Sequence, residues 1–579
     1  MVSRKKIVFI NFQIPQMKYL KPTLVLTFFL CLVVIHAYPQ QKSEKVKINV
    51  DLAKEKGDMT PIWAWFGYDE PNYTYMKDGK KLLTEIAKLS PVPVYVRAHC
   101  LLCTGDGTPA LKWGSTNAYT EDAQGNPIYN WRIIDSIFDT YVDRGMKPLA
   151  QIGFMPEALS TNPKPYQHDW KPGEPYNKVF TGWAYPPKDY DKWRELVFQW
   201  VKHSVARYGQ KEVESWYWEV WNEPVDYWKG TQEEYLKLYD YAADGLKKAL
   251  PTARIGGLNI AGTSSPSAQQ FFNKFIKHCL YETNFATGKK GSPLEAILFH
   301  AKGSPRVRDG VVWMNMSPQL RDIAAGIRIA TSYPETKNLP LIIGESDPEG
   351  CAACGMATNP SNAYRNGTMY SSYTAATFAR KYELNDLYKG NLIGAVSWSF
   401  EFENQPWFYG FRDLATNGVD KPVLNVFRMF GMMKGKRVQT ESDAMYTLQA
   451  VLDSSVRGKT DIGALTSKDE KTAAIMIWNY HDEDKLTPPA MVEVSIANIP
   501  ARKVKLTHYR IDQEHSNSYE LWKKMGSPQN PTTAQVKQLE KAGMLQTTGK
   551  AQKIKTTSGR AIIPVSMPRQ GVSLLKLDW

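Results

Sequence analysis

The chain of 579 residues has few cysteines, no long apolar run and no clustered charge. Its longest mostly apolar stretch, residues 23–37, is too short to span a bilayer, which excludes a polytopic membrane protein. No glycine-rich dinucleotide fingerprint is present. The sequence also contains no basic stripe and no nucleic-acid motif, so no nucleic-acid partner is predicted. Internal repeats and low-complexity tracts are also absent. With 43% hydrophobic and 22% charged residues, the chain is predicted to be a soluble folded protein of at least two domains.

Residues 1–37 have the shape of a secretory signal. The basic residues Lys18 and Lys21 precede the apolar stretch, which ends at Ala37 before a polar segment. We therefore expect cleavage near Ala37 and a secreted or periplasmic protein that is not held in the membrane. An uncleaved anchor is the alternative, and Met17 is a second candidate start. This segment holds five of the 72 basic residues and none of the 58 acidic ones, so without it the net charge falls from +14 to +9. We interpret the excess as aiding solubility, with some attraction for acidic glycans.

Four cysteines form two Cys-x-x-Cys pairs. The pairs are Cys100 with Cys103 and Cys351 with Cys354. The spacing formally matches a four-thiolate zinc site, but paired thiols in an exported protein oxidise, which favours two disulfides. Inert thiols are the third alternative. We predict no metal and no cofactor.

An eightfold alternation of apolar strands and amphipathic helices runs from about residue 61 to residue 435. The predicted strands are 61–67, 93–99, 147–154, 216–222, 254–260, 295–300, 340–345 and 393–400. Near-continuous apolar strands that alternate with helices predict an α/β fold, a (β/α)₈ TIM barrel. An open doubly wound sheet is the alternative, but no glycine-rich fingerprint follows any strand.

The pattern changes to β-type runs after residue 436. Runs at 473–480, 491–499, 503–511 and 571–579 predict an accessory C-terminal β-sandwich, and the alternating run at 45–52 is predicted to add a strand to it. The predicted segments are a signal peptide (1–37), an N-terminal strand that joins the sandwich (38–60), the barrel (61–436) and the β-sandwich domain (437–579).

Two glutamates end strands that are otherwise apolar. Glu223 follows the fourth predicted strand in Trp-Asn-Glu-Pro, and Glu345 ends the seventh in Gly-Glu-Ser-Asp. Because a barrel builds its active site at the C-terminal ends of its strands, we expect the two carboxylates to face each other across the mouth. Carboxylates roughly 5 to 5.5 Å apart suit a retaining glycosidase, in which one donates a proton and the other attacks the anomeric carbon. A wider gap would indicate inversion.

Motifs at the strand ends and in the second domain carry a family resemblance. They are Val96-Arg-Ala-His99, Gly153-Phe-Met-Pro-Glu-Ala-Leu159, Trp221-Asn-Glu-Pro224, Phe299-His-Ala-Lys-Gly303, Gly344-Glu345, Tyr509-Arg-Ile-Asp, and His515-Ser-Asn-Ser-Tyr with Trp522. With these motifs the chain after the signal resembles glycoside hydrolase family 39, which includes β-xylosidases and α-L-iduronidases. The resemblance implies a retaining O-glycosyl hydrolase that acts on an oligo- or polysaccharide, with Glu223 as acid/base and Glu345 as nucleophile.

The charges of the two glutamates should be set by their neighbours. Glu345 must be ionised to attack, and Arg97 at strand two and His300 at strand six are the candidates to lower its pKa. Glu223 must start protonated, and burial among tryptophans would favour that form.

Three further side chains are predicted to contact the sugar. Asn222 can reach the 2-hydroxyl, a contact that strengthens in the oxocarbenium-like transition state. His99 is predicted to bind a ring hydroxyl, and Trp398, at the end of strand eight, to form a platform under the terminal sugar. For both His99 and Trp398 the alternative is a packed core side chain.

The sugar itself is less determined than the chemistry. We predict exo-acting removal of a terminal xylose-like pyranoside. The segment from His278-Cys279 to Lys302 is closer to the iduronidase pattern, in which the lysine binds the substrate carboxylate, so a uronic acid is the alternative, with Arg412 as a second contact. If Lys302 only bridged to Glu401 or Glu403, the argument for a uronic acid would no longer hold. A non-catalytic glycan-binding relative would be expected to lack one of the two glutamates, and no oligomeric state is predicted.

Overall fold

The computed structural model describes residues 45–579 apart from 69, 90, 352 and 400. The predicted signal peptide and its cleavage site lie outside the described residues. The described part of the chain belongs to one compact unit, Glu44–Trp579. Within it, none of the helices combines the length and the apolar character needed to cross a bilayer.

Eight parallel strands, numbered one to eight along the chain, form the barrel. They are Trp65–Tyr68, Tyr95–Ala98, Lys147–Ile152, Tyr217–Val220, Arg254–Ile260, Ala296–His300, Leu341–Glu345, and Leu392–Ala395 followed by Ser397–Trp398. The first piece of strand eight pairs with strand seven and the second piece with strand one, so the sheet nearly closes on itself. Each predicted strand overlaps an observed one, and the TIM barrel is the architecture found.

Helices alternate with these strands and cover them. Their bounds are Lys77–Ala87, Arg132–Val142, Tyr190–Tyr208, Gln210–Glu214, Gln232–Ala249, Pro266–Tyr281, Ser317–Thr331, Thr368–Tyr388 and Leu424–Gly431. The start of Gln232–Ala249 shows how the sequence sets a boundary: Thr231 accepts a hydrogen bond from the Glu234 backbone, and the Glu234 side chain accepts one in return. This capping box satisfies backbone N–H groups that the helix leaves unpaired.

The loops on the barrel carry short elements. The 3₁₀ helices are Pro71–Tyr73, Glu157–Leu159, Tyr176–Val179, Gly182–Ala184 and Pro360–Asn366. Small hairpins pair Tyr119–Glu121 with Pro127–Tyr129, Arg306–Arg308 with Val311–Trp313, and Ala415–Thr416 with Val419–Asp420.

A ten-stranded sheet forms the C-terminal part. Its strands are Val46–Asp58, Lys436–Ser442, Asp461–Lys468, Thr472–Tyr480, Ala490–Ala497, Lys503–Ile511, Gln546–Thr547, Gln552–Lys555, Ala561–Met567 and Val572–Asp578. The N-terminal strand pairs with Lys436–Ser442 and Ala490–Ala497, as predicted. Helices Leu448–Ser454, Ser518–Lys524 and Thr533–Gly543 accompany the sheet. One hydrogen-bonded path links its strands, so the division into the two layers of a sandwich stays a prediction.

The sheet is anchored on the barrel through the helix Thr368–Tyr388. Ser372 donates a hydrogen bond to Gln570, and Arg380 donates to the Tyr446 carbonyl at 2.6 Å. Trp478 of the sheet belongs to the same buried apolar cluster as the barrel core. The C-terminal ends of the barrel strands are thereby left to loops, and those loops build the site.

Candidate active site

A cavity opens at the C-terminal ends of the barrel strands. It holds about 570 Å³ of space free of protein atoms. Its lining includes six of the nine residues predicted for the site: His99, Asn222, Glu223, Lys302, Glu345 and Arg412. The other three, Arg97, His300 and Trp398, are fully buried behind the lining and contact it.

The two glutamates face each other as expected. Glu223 lies just after strand four with a left-handed backbone (φ 42°), and Glu345 is the last residue of strand seven. A carboxylate oxygen of each and a ring nitrogen of His300 all lie within 4.8 Å of one another. This spacing is close to that of a retaining pair and shorter than the roughly 6.5 to 9.5 Å of an inverting one. The three side chains also resemble a metal site, but the Lys302 ammonium already supplies a positive charge between the carboxylates.

Arg97 connects most of the site from strand two. Its guanidinium donates to Glu345 at 3.2 Å, to Asn222 at 2.9 Å and to the Nε2 atom of His99 at 2.7 Å. It also donates to Glu219 at 2.7 Å, and both of these side chains are fully buried. The sequence analysis did not predict Glu219 as a site residue, although an acidic residue within the otherwise apolar strand four was a signal that could have identified it. The arrangement holds the Glu345 carboxylate and the Asn222 amide in fixed positions.

Glu345 has the charge state of a nucleophile. Burial alone would raise its pKa, but nearby positive charge, above all that of Lys302 and then that of His300 when protonated, of Arg412 and of Arg97, lowers it well below the usual value. Burial lowers the pKa of His300 to about 4, so this imidazole is neutral at neutral pH and acts as a hydrogen-bond donor. The predicted effects of His300 and Arg97 are both present, and the effect of Lys302 is larger.

Glu223 does not have the charge state that burial alone predicts. Burial raises its pKa, but the Lys302 ammonium at 3.2 Å and a hydrogen bond from the Nδ1 atom of His300 at 2.8 Å outweigh burial and lower the pKa to about 2. The expectation that burial among tryptophans keeps Glu223 protonated is therefore wrong. A cation placed between the two carboxylates is the reason.

Lys302 and Arg412 bring positive charge into the cavity. The Lys302 ammonium lies 2.5 Å from Glu345, so the alternative in which it bridges to Glu401 or Glu403 is wrong. The carboxylates of those two residues instead accept hydrogen bonds from backbone N–H groups in other parts of the chain. Arg412 donates to the carbonyl of Glu349 at 3.1 Å, and its Nη1 atom lies 3.7 Å from Glu345. Both predicted cations thus lie beside Glu345.

Trp398 lies behind the site and does not line it. Its ring is fully buried, and the guanidinium carbon of Arg412 lies 4.7 Å from the ring centre and that of Arg97 5.7 Å from it. His99 meets it edge-on at 5.6 Å. The ring fits because Gly67 of strand one has no side chain, since a Cβ there would lie 2.1 Å from it. The predicted sugar platform is thus replaced by a support for the cations, because the ring points into the barrel.

An aromatic wall of the cavity was missed by the sequence analysis. It comes mainly from the long loop after strand three and from the turn that carries Glu223. Its members are Phe154, Tyr176, Val179, Trp183 and Tyr227, with Trp113 and Lys112 beside them. The available signal was the density of tyrosine and tryptophan between residues 166 and 185.

The two cysteine pairs differ from each other. Cys351 and Cys354 are joined by a disulfide, whereas Cys100 and Cys103 are thiols, in contrast to the expected second disulfide. A turn in which the Cys103 N–H donates to the Cys100 carbonyl leaves the two sulfurs in hydrogen-bond contact, which raises the pKa of Cys100. Among the described residues the four sulfurs do not gather at one point, so the zinc alternative is not supported.

Several known proteins are similar to this chain in sequence and in fold. The sequence model of Glycosyl hydrolases family 39 matches residues 46–559. A β-xylosidase of Caldicellulosiruptor saccharolyticus is 27% identical over 528 residues, 87% of this chain and 93% of that protein. An α-L-iduronidase of Mus musculus is 23% identical over 529 residues, 85% of this chain and 75% of that protein. The crystal structure of the GH39 enzyme from Xanthomonas axonopodis pv. citri, 22% identical, aligns with a TM-score of 0.70 over 92% of this chain and 97% of that one. The chain therefore belongs to glycosyl hydrolase family 39 and is a glycosyl hydrolase.

Proposed function

We propose that the protein is a retaining exo-glycosidase that removes a terminal xylose-like pyranoside by double displacement. The observation that carries this proposal is the pair of buried carboxylates, Glu223 and Glu345, whose oxygens lie within 4.8 Å in one cavity.

Glu345 is the nucleophile in this proposal. One of its oxygens forms a bond to the anomeric carbon while the glycosidic bond breaks, and Glu223 passes a proton to the departing oxygen. Because the Lys302 ammonium keeps Glu223 ionised, the substrate has to separate these two side chains before Glu223 can carry that proton.

Glu223 then acts as the base in the second step. The glycosyl ester removes the negative charge of Glu345, which had opposed the ionisation of Glu223. Glu223 therefore stays ionised after the first step, and its carboxylate can accept the proton that the attacking water loses. Water attacks the anomeric carbon and Glu345 leaves as a carboxylate, so the configuration is retained.

A uronic acid is the second candidate substrate. The observation that favours it is the presence of both Lys302 and Arg412 in the cavity lining. A substrate carboxylate could accept charge-assisted hydrogen bonds from these cations and draw the Lys302 ammonium away from Glu223. The β-xylosidase and α-L-iduronidase relatives leave both candidates open.

The test combines two variants with a panel of aryl glycosides. Glu345→Gln should abolish turnover without unfolding, since an amide of equal size cannot attack. Glu223→Ala should cripple substrates with poor leaving groups and spare activated ones, with azide giving a glycosyl azide of retained configuration. Proton NMR of the first-formed product reports the anomer, and an inverted product rejects the scheme. Activity on aryl β-xyloside, α-L-iduronide or β-glucuronide identifies the sugar.

We further propose that the protein acts outside the cytoplasm. The support is the pattern of residues 1–37 together with the Cys351–Cys354 disulfide, because disulfides persist in oxidising compartments. Recovery of a mature form that begins near Tyr38 in the periplasm or culture medium is the expected result. A full-length cytoplasmic protein would contradict it.

A further inference from the structure

One wall of the cavity has no part in the proposed chemistry. Tyr176 and Tyr227 are half-buried at this wall, while Phe154 and Trp183 are buried behind them. The phenol groups of the two tyrosines meet, with 3.4 Å between their oxygens. Two ring-bearing side chains with polar tips therefore stand together where the cavity opens.

The position of Glu223 shows which part of a substrate this wall would meet. In the proposed reaction Glu223 protonates the departing oxygen, so groups next to it on the cavity wall face the leaving part of the substrate. Tyr227 follows Glu223 in the same turn, and its backbone N–H donates to the Glu223 carbonyl at 2.8 Å. Tyr227 and Glu223 thus line the same cavity side by side, as a residue that meets the leaving group would have to.

The wall is held in place before any ligand binds. The Trp183 ring nitrogen donates to the Val179 carbonyl at 2.8 Å, and the Phe154 and Trp183 ring centres are 4.5 Å apart. Phe154 also lies parallel to Tyr227, with their ring centres 6.3 Å apart. Val179 packs with Trp170 and with residues next to the Cys351–Cys354 disulfide. A surface ordered in advance loses less conformational entropy when it binds.

We propose that Tyr176 and Tyr227 bind a second sugar ring on the leaving-group side of the cleaved bond. This inference rests on the proposed function and narrows the substrate to a disaccharide or longer glycoside. The C–H face of a pyranose packs on an aromatic ring, while its hydroxyls exchange hydrogen bonds with the two phenols. The ammonium of Lys112, 5.1 Å from the Tyr176 ring centre, adds a polar donor at the same place.

Two xylosides separate this site from the catalytic one. β-1,4-Xylobiose carries a sugar ring as its leaving group, whereas 2,2,2-trifluoroethyl β-D-xylopyranoside carries a small activated group without a ring. For Tyr176→Ala and Tyr227→Ala, kcat/KM should fall by about 10-fold on xylobiose and change by less than about 2-fold on the trifluoroethyl xyloside. If the aryl panel identifies a uronide, the same pair of leaving groups is compared on that sugar.

Conservative and distant variants act as controls. Tyr176→Phe and Tyr227→Phe keep the ring and should lose less than the alanine variants, and Tyr227→Leu keeps much of the volume if the alanine variant unfolds. Tyr281→Ala removes a 44% exposed tyrosine whose phenol donates a hydrogen bond to Glu335. This variant should leave kcat/KM unchanged on both xylosides.

Other outcomes would overturn the inference in distinguishable ways. An equal loss on both xylosides would mean that the tyrosines position the catalytic groups, and no loss on xylobiose would mean that the leaving sugar does not touch them. In both cases the glycosidase proposal survives. A wild type that cleaves none of the glycosides, and behaves as Glu345→Gln does, would reject the proposed function and this inference with it.

Discussion

Replacing Lys302 by methionine should raise the pKa of Glu223 and move the alkaline limb of activity to higher pH. The ammonium lies 3.2 Å from Glu223 and 2.5 Å from Glu345. Methionine keeps an unbranched apolar side chain and removes the charge. Burial and the negative charge of Glu345 then remain around Glu223, and both raise its pKa.

The size of the effect follows from the geometry. With Lys302 in place the pKa of Glu223 is about 2, and without it we expect the pKa to rise toward the usual 4.5, because burial and Glu345 raise it while the hydrogen bond from His300 still lowers it. A rise of at least about two units corresponds to roughly 3 kcal/mol. Coulomb's law gives a similar order, since two unit charges about 3 Å apart attract by roughly 5 kcal/mol at an effective dielectric constant of about 20. Part of this attraction is offset by desolvation of the ammonium.

The assay is the pH dependence of kcat/KM on a neutral pyranoside with a poor leaving group. In the proposed reaction, departure of such a leaving group needs the proton of Glu223. In Lys302→Met the alkaline limb should lie at least about two units higher than in the wild type. Lys289→Met makes the same charge change at an exposed site and should leave the limb in place. A dinitrophenyl glycoside, which leaves without a proton, should show little of this limb. An unchanged or lower limb in Lys302→Met would refute the reasoning.

Three further predictions concern stability and thiol chemistry. Gly67→Ala should destabilise the fold by about 1 to 3 kcal/mol and lower kcat/KM, because its Cβ would lie 2.1 Å from the Trp398 ring; an unchanged melting temperature would contradict this. The pKa of His278 is lowered by burial but raised more by two adjacent carboxylates, so its stabilisation is complete below the unfolded pKa and lost as pH rises through the higher folded one. His278→Gln should therefore destabilise more at pH 5 than at pH 8 in urea titrations. Cys100 and Cys103 should both be alkylated in the denatured, unreduced protein, and a mass that shows a second disulfide would count against the structure.

Several features of the fold and site were predictable because they depend on local pattern. The apolar runs that became strands four and seven are bounded by polar residues, and Thr231 with Glu234 marks the start of a helix. Glu223 and Glu345 could be found because a glutamate at the end of an apolar strand points to the mouth of a barrel. Even the pairing of the N-terminal strand with the C-terminal sheet followed from its alternation.

The charge states within the site required the tertiary structure. They depend on distances of a few ångströms between side chains from different strands, and the sequence contains no direct measure of such distances. Lys302 could have been placed against an acid of the loop after strand eight, but the structure puts it between Glu223 and Glu345, where it reverses the effect of burial.

The sequence by itself determined the barrel, the sheet-rich second part and the two glutamates, because strand and helix periodicity is written into neighbouring residues. Only the tertiary structure decided that Trp398 supports two guanidinium groups from behind, that Cys100 and Cys103 are thiols rather than a disulfide, and that Tyr176 meets Tyr227. Closure of the barrel and packing of the long loops fix these contacts. Barrel closure and loop packing depend on the whole chain, because each of these contacts either joins residues that are distant in sequence or depends on the geometry of a loop.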